Sequence, residues 1–177
     1  MDTAIIAAII TASVSLAVAI IGFAFSVINL RFNYKNSLAL KKDDLRITKM
    51  SEMPYEVLSI LDLSMNPQAF DINRYKKMMN TIYSYGSPDA IKICAEMNQA
   101  AFDNAGKPKD SRDNNKMIAL YMLLATQIKA DVTQIEVSPK ELQQIRLTDY
   151  AKHKDALKQA NNEYVKTLGL SNSLLIK

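Results

Sequence analysis

Few side chains in this sequence could do chemistry, and none stands in the company that chemistry needs. The one histidine, His153, sits between Lys152 and Lys154. A metal site or a general base needs several convergent groups, so His153 reads as a solvated surface residue. The one cysteine, Cys94, falls on an apolar helical face with no cation beside it in sequence. It reads as core packing, and a lone cysteine excludes a disulfide framework. Asp110 and Asp113 could pair as carboxylates around magnesium, but they occupy a polar loop with no histidine or third acid nearby. Of the nine methionines, Met78, Met79, Met97, Met117 and Met122 fall mostly where core residues are expected, which favours packing over a soft-metal box. The four glycines, Gly22, Gly86, Gly106 and Gly169, join no GxGxxG or GxxxxGK phosphate loop. The expectation is a protein that is not an enzyme, with no cofactor and no metal.

Binding is the better prospect. Phosphate recognition needs donors converging in a concavity, with an aromatic face for base stacking. One set of donors runs Lys107, Lys109, Arg112 and Lys116; another, Gln127, Lys129, Arg146 and Tyr150, lies near the ends of the two longest helices expected in the domain. Either set alone could be an ordinary solvated face. Residues 51–177 hold 16 basic and 15 acidic side chains, so a single domain is nearly neutral. Only assembly about an axis would multiply one modest cluster into a basic collar.

The elements that must position these residues begin with a membrane helix. Thr3 to Leu30 is 28 residues without a charge, about 42 Å of helix against a hydrocarbon core of about 30 Å. A cleaved signal peptide would carry a basic start and a shorter apolar stretch, so an anchor is expected. Arg31, Lys35, Lys41, Lys42, Arg46 and Lys49 follow, against Asp43 and Asp44 alone. The positive-inside bias then places the C-terminal body in the cytoplasm, with the basic residues against anionic headgroups.

Within the span, Ala8, Ala12, Ser15, Ala19, Gly22, Ser26 and Asn29 recur at alternating steps of four and three, opposite Ile6, Ile9, Leu16, Ile20, Phe23, Val27 and Leu30. Small residues allow close backbone approach where lipid offers no hydrophobic drive for association. The seam predicts self-association, although small residues are common in spans generally. It is equally able to line a pore or only to pack helices. The same register continues through Asn33 and Asn36, and asparagine on such a seam can set oligomer state.

Helix signals fill the remainder. The expected boundaries are a transmembrane helix over 3–30, a juxtamembrane stalk over 31–50 and a helical domain over 51–177, because Pro54 ends or restarts the helix. Tyr55, Leu58, Leu61 and Met65 fit a short helix. Asp71 caps a second one with Ile72, Tyr75, Met79 and Ile82 on one face, ending at Gly86. Ser87-Pro88 opens a third, with Ile91, Cys94, Met97 and Ala101 inward. Residues 104–115 form a polar loop, and Met117 to Ile128 is apolar on nearly all sides, hence central. Ser138-Pro139-Lys140-Glu141 supplies a cap, a proline and a capping-box glutamate for one long last helix through Leu142, Ile145, Tyr150, Leu157, Tyr164 and Leu168, closed by Gly169. The fold class is all-α: an N-terminal transmembrane helix extending into a stalk, then a cytoplasmic helical bundle.

Three stretches carry a resemblance: Tyr85-Gly86-Ser87-Pro88-Asp89-Ala90-Ile91, the run Leu123 to Thr133 (LLATQIKADVT), and Ser138-Pro139 with Arg146-Leu147-Thr148-Asp149-Tyr150. Over roughly residues 4–150 the chain resembles single-span transmembrane effectors of bacterial anti-phage defence systems, most closely the Hailong type. That resemblance implies a homo-oligomer held inactive by a single-stranded DNA oligomer, which a partner nucleotidyltransferase makes. Loss of the DNA would release it to depolarise the membrane. Lys107, Lys109, Arg112, Lys129, Arg146 and Tyr150 are the residues expected to hold such an oligonucleotide. Two other classes compete: a single-span adaptor whose domain docks a protein partner without a pore, and a tethered hydrolase using Asp110 and Asp113, for which the site chemistry is thin.

Overall fold

The computed structural model describes residues 2–64, 70–108 and 111–177. The elements are α1 (Thr3–Met50), α2 (Met53–Ser64), α3 (Ile72–Tyr85), α4 (Pro88–Ala105), α5 (Asn114–Thr133), α6 (Pro139–Arg146) and α7 (Tyr150–Thr167), followed by a 3₁₀ turn at Asn172–Leu174. The class is all-α, with no strand among the described residues. Two compact units divide the chain, Met1–Leu45 and Arg46–Lys177.

The first unit is helix throughout its described length from Thr3. It contains the chain's one helix, among the described residues, that is long and apolar enough to cross a membrane. None of the described side chains in its most apolar stretch is buried within the chain; Phe23, for example, is 72% exposed. Lipid or neighbouring helices would shield such an exposed apolar surface from water.

The second unit begins with the last turn of α1, five residues before the expected boundary at Ser51. Met50 is buried in its core. Ser51 and Glu52 form a turn, since Pro54 has no N–H to offer Met50 four residues back. Helix α5 is the axis of the unit and packs against α2, α4, α6 and α7. Ala119 to Thr126 is buried without interruption, and Ile128 with it, as its apolarity on all sides predicts. Val57, Ile60 and Leu61 of α2, Ile93 and Met97 of α4, and Val165 of α7 belong to the same core as α5.

The caps explain most element boundaries. Asp71 accepts from the N–H groups of Asn73 and Arg74, Ser87 from Ala90, and Ser138 from Lys140. Helix α3 ends where Gly86 N–H donates to Ile82 O at 2.7 Å. A Cβ at Gly86 would lie 2.5 Å from that same oxygen, so the approach requires glycine. At the far end Gly169 adopts φ +62°. Leu170 N–H then reaches Val165 O at 2.9 Å and Gly169 N–H reaches Lys166 O at 3.2 Å, the paired bonds of a Schellman cap.

Three sequence expectations need correction. The long last helix is two: Leu147 is extended, at φ −106° and ψ 114°, and its N–H closes α6 on Gln143 O, so α7 restarts at Tyr150. The five-residue step from Ile145 to Tyr150 cannot hold one face of a continuous helix, and the break resolves it. Glu141 does not return its carboxylate to a capping box but lines a groove with Leu142 and Ile145. Finally, Tyr55, Ile72 and Ile145, all expected on inward faces, are exposed. Met78 takes the buried position on α3 beside Tyr75 and Ile82, and Met79 is half-buried.

Candidate functional site

The structure divides the expected ligand residues between the two ends of α5. Lys107 and Arg112 lie in the connection before that helix, both exposed, and Arg112 Nε donates to Lys107 O at 3.2 Å. Lys109 and Asp110 lie outside the described residues. Asp113 serves as the cap of α5, accepting from Lys116 N–H at 3.0 Å, and Lys116 Nζ pairs with Glu163 at 3.4 Å. Asp113 therefore has a structural employment, and among the described residues no group of three or more His, Cys, Asp or Glu is placed to hold a metal ion. Lys129 stands near the other end of α5, roughly 20 Å along the axis at ~1.5 Å per residue. One compact ligand cannot take both sets within a single chain.

Around Lys129 the elements make a groove. Pro54, Tyr55 and Leu58 of α2 form one wall; Ala125, Thr126 and Lys129 of α5 form the floor; Val137 with Glu141, Leu142 and Ile145 of α6 forms the other wall. Its volume is about 370 Å³, within the ~300–1,000 Å³ range of small-ligand pockets. Tyr55 and Ile145 are 75% and 80% exposed at its rim. Thr126 spends its hydroxyl proton on Met122 O at 2.7 Å. Neither Lys129 nor Glu141 forms an ion pair among the described residues. Arg146 pairs with Asp62 of α2, one helical turn beyond Leu58, and so ties α6 to α2 past the groove. Tyr150, the first residue of α7, is half-buried and is not among the lining residues.

No family model matches the sequence, and no curated protein or solved structure matches it. The fold itself relates the three stretches that carry the resemblance. It brings two of the resemblance motifs together: Ser87 Oγ donates to Asp131 Oδ2 at 2.5 Å, and Gln127 Nε2 donates to Asp131 Oδ1 at 2.8 Å. Gln127 is thereby committed to holding α4 against α5 and is not a free donor. The third stretch is the cap of α6 and the break before α7. All three stretches carry caps and packing.

Sequence reasoning missed Tyr55 and Glu141 as groove residues. A weak signal was present, since Tyr55 and Leu58 follow Pro54 on α2, but only the docking of α6 makes a second wall. It also missed the hold on the C-terminal segment. Buried Asn161 donates to Leu174 O at 2.8 Å; Asn162 donates to Ile176 O at 2.9 Å and accepts from Ile176 N–H at 2.8 Å. Glu56 and Arg74 pair at 2.7 Å between α2 and α3; the Arg74 hydrogen bond holds the Glu56 carboxyl below its ordinary value.

His153 pairs with Asp149 at 3.3 Å on the surface. Cys94 is buried, with Sγ 3.1 Å from Met79 Sδ, and burial pushes its thiol up to about 11. Burial likewise raises Tyr75 and Tyr164 to about 12 and Tyr121 higher still. Each of these acids holds its proton more tightly folded than unfolded, so its stabilisation is complete below its ordinary value and is lost as pH rises through the raised one. Stability in detergent is therefore expected to fall steeply between about pH 9 and 12. In the same experiment Cys94 should resist maleimide at neutral pH until denaturant is added. Rapid native labelling, or a flat alkaline limb, would contradict the buried placement.

In the first unit, α1 runs unbroken through every seam position. Ala12, Ser15, Ala19, Gly22, Ser26 and Asn29 are exposed along it; the Ala8 side chain lies outside the described ones. Steps of four and three keep these residues on one side of the helix.

Proposed function

We propose that this chain is a membrane effector of bacterial anti-phage defence, a homo-oligomer whose helical domain binds a regulatory single-stranded DNA oligomer and thereby gates membrane depolarisation. The observation that supports the reading is α1: the described side chains of its apolar stretch are exposed or half-exposed, with small residues on one side, which favours packing against helices of other chains. A tetramer in the bacterial inner membrane, with the domain in the cytoplasm, is the favoured assembly. The partner nucleotidyltransferase and the ligand's identity come from the resemblance alone. Gating follows linkage: a ligand that binds one arrangement of the domains more tightly shifts the assembly toward it.

Native mass spectrometry of the detergent-purified protein, with and without nuclease, tests assembly and ligand together. A defined oligomer carrying a nuclease-sensitive mass is expected; a monomer free of nucleic acid would overturn the reading. Lys129→Glu is expected to weaken oligonucleotide binding at least ten-fold and to lower the salt slope by about one. Arg146, committed to Asp62, is the weaker contributor. An affinity unaltered by Lys129→Glu would remove that residue from the site. The groove, with exposed Tyr55 and Ile145 at its rim, favours an adaptor as the second reading, since such pockets also accept a partner's apolar anchor. Liposome ion flux separates the two, because an adaptor gives none in any ligand state.

A further inference from the structure

The helices around α6 are fixed by polar bonds that are at least partly buried. Arg74 of α3 donates to Glu56 and Ser59 of α2, and Ser87 at the head of α4 donates to Asp131 of α5. Asn161 and Asn162 of α7 hold the C-terminal segment. Helix α6 has one tie to another element among the described residues, Arg146 to Asp62, and both partners are exposed. Ion pairs of that kind stabilise little. What else holds α6 is apolar: Pro139 is buried, and Leu142 and Leu147 pack on the core.

Against this stands Gln143. It is two residues from both Glu141 and Ile145, and at ~100° per residue it lies on the side of α6 away from the groove. Its side chain is fully buried, and neither Oε1 nor Nε2 has a partner among the described residues. A carboxamide offers two donors and two acceptor lone pairs, all of which water satisfies. Burying them unpaired opposes the packing that Pro139 and Leu142 favour. Non-helical backbone flanks the helix at both ends. Gln134 leaves α5 at φ 57°, the one positive φ outside glycine among the described residues, and Leu147 is extended before α7.

We propose that α6 is a hinged flap. It turns about residues 134–138 and 147–149, lifting from α5 and α7 while the other helices of the unit keep their packing. Lifting breaks the Arg146–Asp62 pair, hydrates Gln143 and moves the groove wall that carries Glu141, Leu142 and Ile145. The width of the groove therefore follows the state of α6. The movement belongs to the chain itself and is the same whichever reading of the function holds.

Hydrogen exchange of the full chain in detergent, followed by mass spectrometry over residues 135–149, tests the flap together with thermal unfolding. Methionine has the reach of glutamine without its polar groups. Gln143→Met is thus expected to slow exchange across α6 about ten-fold and to raise the melting temperature by roughly 2–8 °C. Gln143→Glu, which puts a charge in the same place, should speed exchange there by about ten-fold or more and leave α4 and α5 unchanged. Asp62→Asn removes the exposed tie and should speed it about three-fold. A lower melting temperature and faster exchange in Gln143→Met would mean that the amide is satisfied where it lies, as around an internal water, and would refute the flap. Acceleration by Gln143→Glu spread equally over α4 and α5 would show that α6 does not move alone. Exchange in α6 indifferent to all three variants would overturn the hinge as well.

Discussion

Gly22→Leu is expected to dissociate the oligomer and abolish toxicity on expression. Within one chain a Cβ at Gly22 meets nothing within 4 Å, and leucine is the better helix former, glycine lying ~0.8–1.0 kcal/mol below alanine and leucine close to alanine. The substitution is thus sterically silent in the isolated helix and mildly favourable to it. It also lengthens no gap in the apolar run, so insertion is unharmed. Any loss must then arise from a second helix approaching that side, where the leucine side chain would hold the backbones apart. Gly22→Ala, with a single methyl, should retain most of the assembly. Crosslinking in membranes and native mass spectrometry read the subunit count, and expression toxicity reads the function. An unchanged oligomer with full toxicity would refute the seam.

Leu123→Ala is the second large effect. Leu123 is fully buried on α5, in the helix against which α2, α4, α6 and α7 all pack. Removing its isobutyl group loses the transfer energy and leaves a cavity that four surrounding helices cannot readily close, at a cost of ~2–5 kcal/mol. Against a total stability of ~5–15 kcal/mol that is a large fraction, and each kcal/mol lowers Tm by roughly 2–8 °C. Ile145→Ala removes as much hydrocarbon from a side chain that is 80% exposed and should stay within about 0.5 kcal/mol. Thermal unfolding of both variants in the same detergent checks the contrast. Equal destabilisation would contradict the placement of α5 at the centre.

Much of the fold is written in local chemistry. Asp71, Ser87 and Ser138 cap helices because their side-chain oxygens satisfy N–H groups only a few residues away. Gly169 closes α7 because its own φ permits the turn. Such signals act over one turn, and a linear reading recovers them. The rotation of each helix about its axis was less legible. On α3 the pattern favours Met79 inward, whereas Met78 is buried, because α4 and α2 approach from a direction that residue spacing alone does not specify. The candidate site was legible only in Lys129. Arg146 is drawn to Asp62, 84 residues away, and Gln127 serves Asp131 and through it Ser87; neither partner could be inferred from neighbours in sequence.

By itself, then, the sequence determined the long apolar N-terminal helix with small residues along one side, the helical class, the N-caps at Asp71, Ser87 and Ser138 and the central place of α5. All of these are properties of periodicity and of side chains reaching their own backbone. Only the tertiary structure decided that the last helix is two, that Met50 at the end of α1 belongs to the domain core, and that Lys107 and Lys129 stand at opposite ends of α5. It alone made a groove from Tyr55, Lys129 and Glu141. The reason is physical: these features depend on which helices meet and at what rotation, and that is settled by packing between segments distant in the chain.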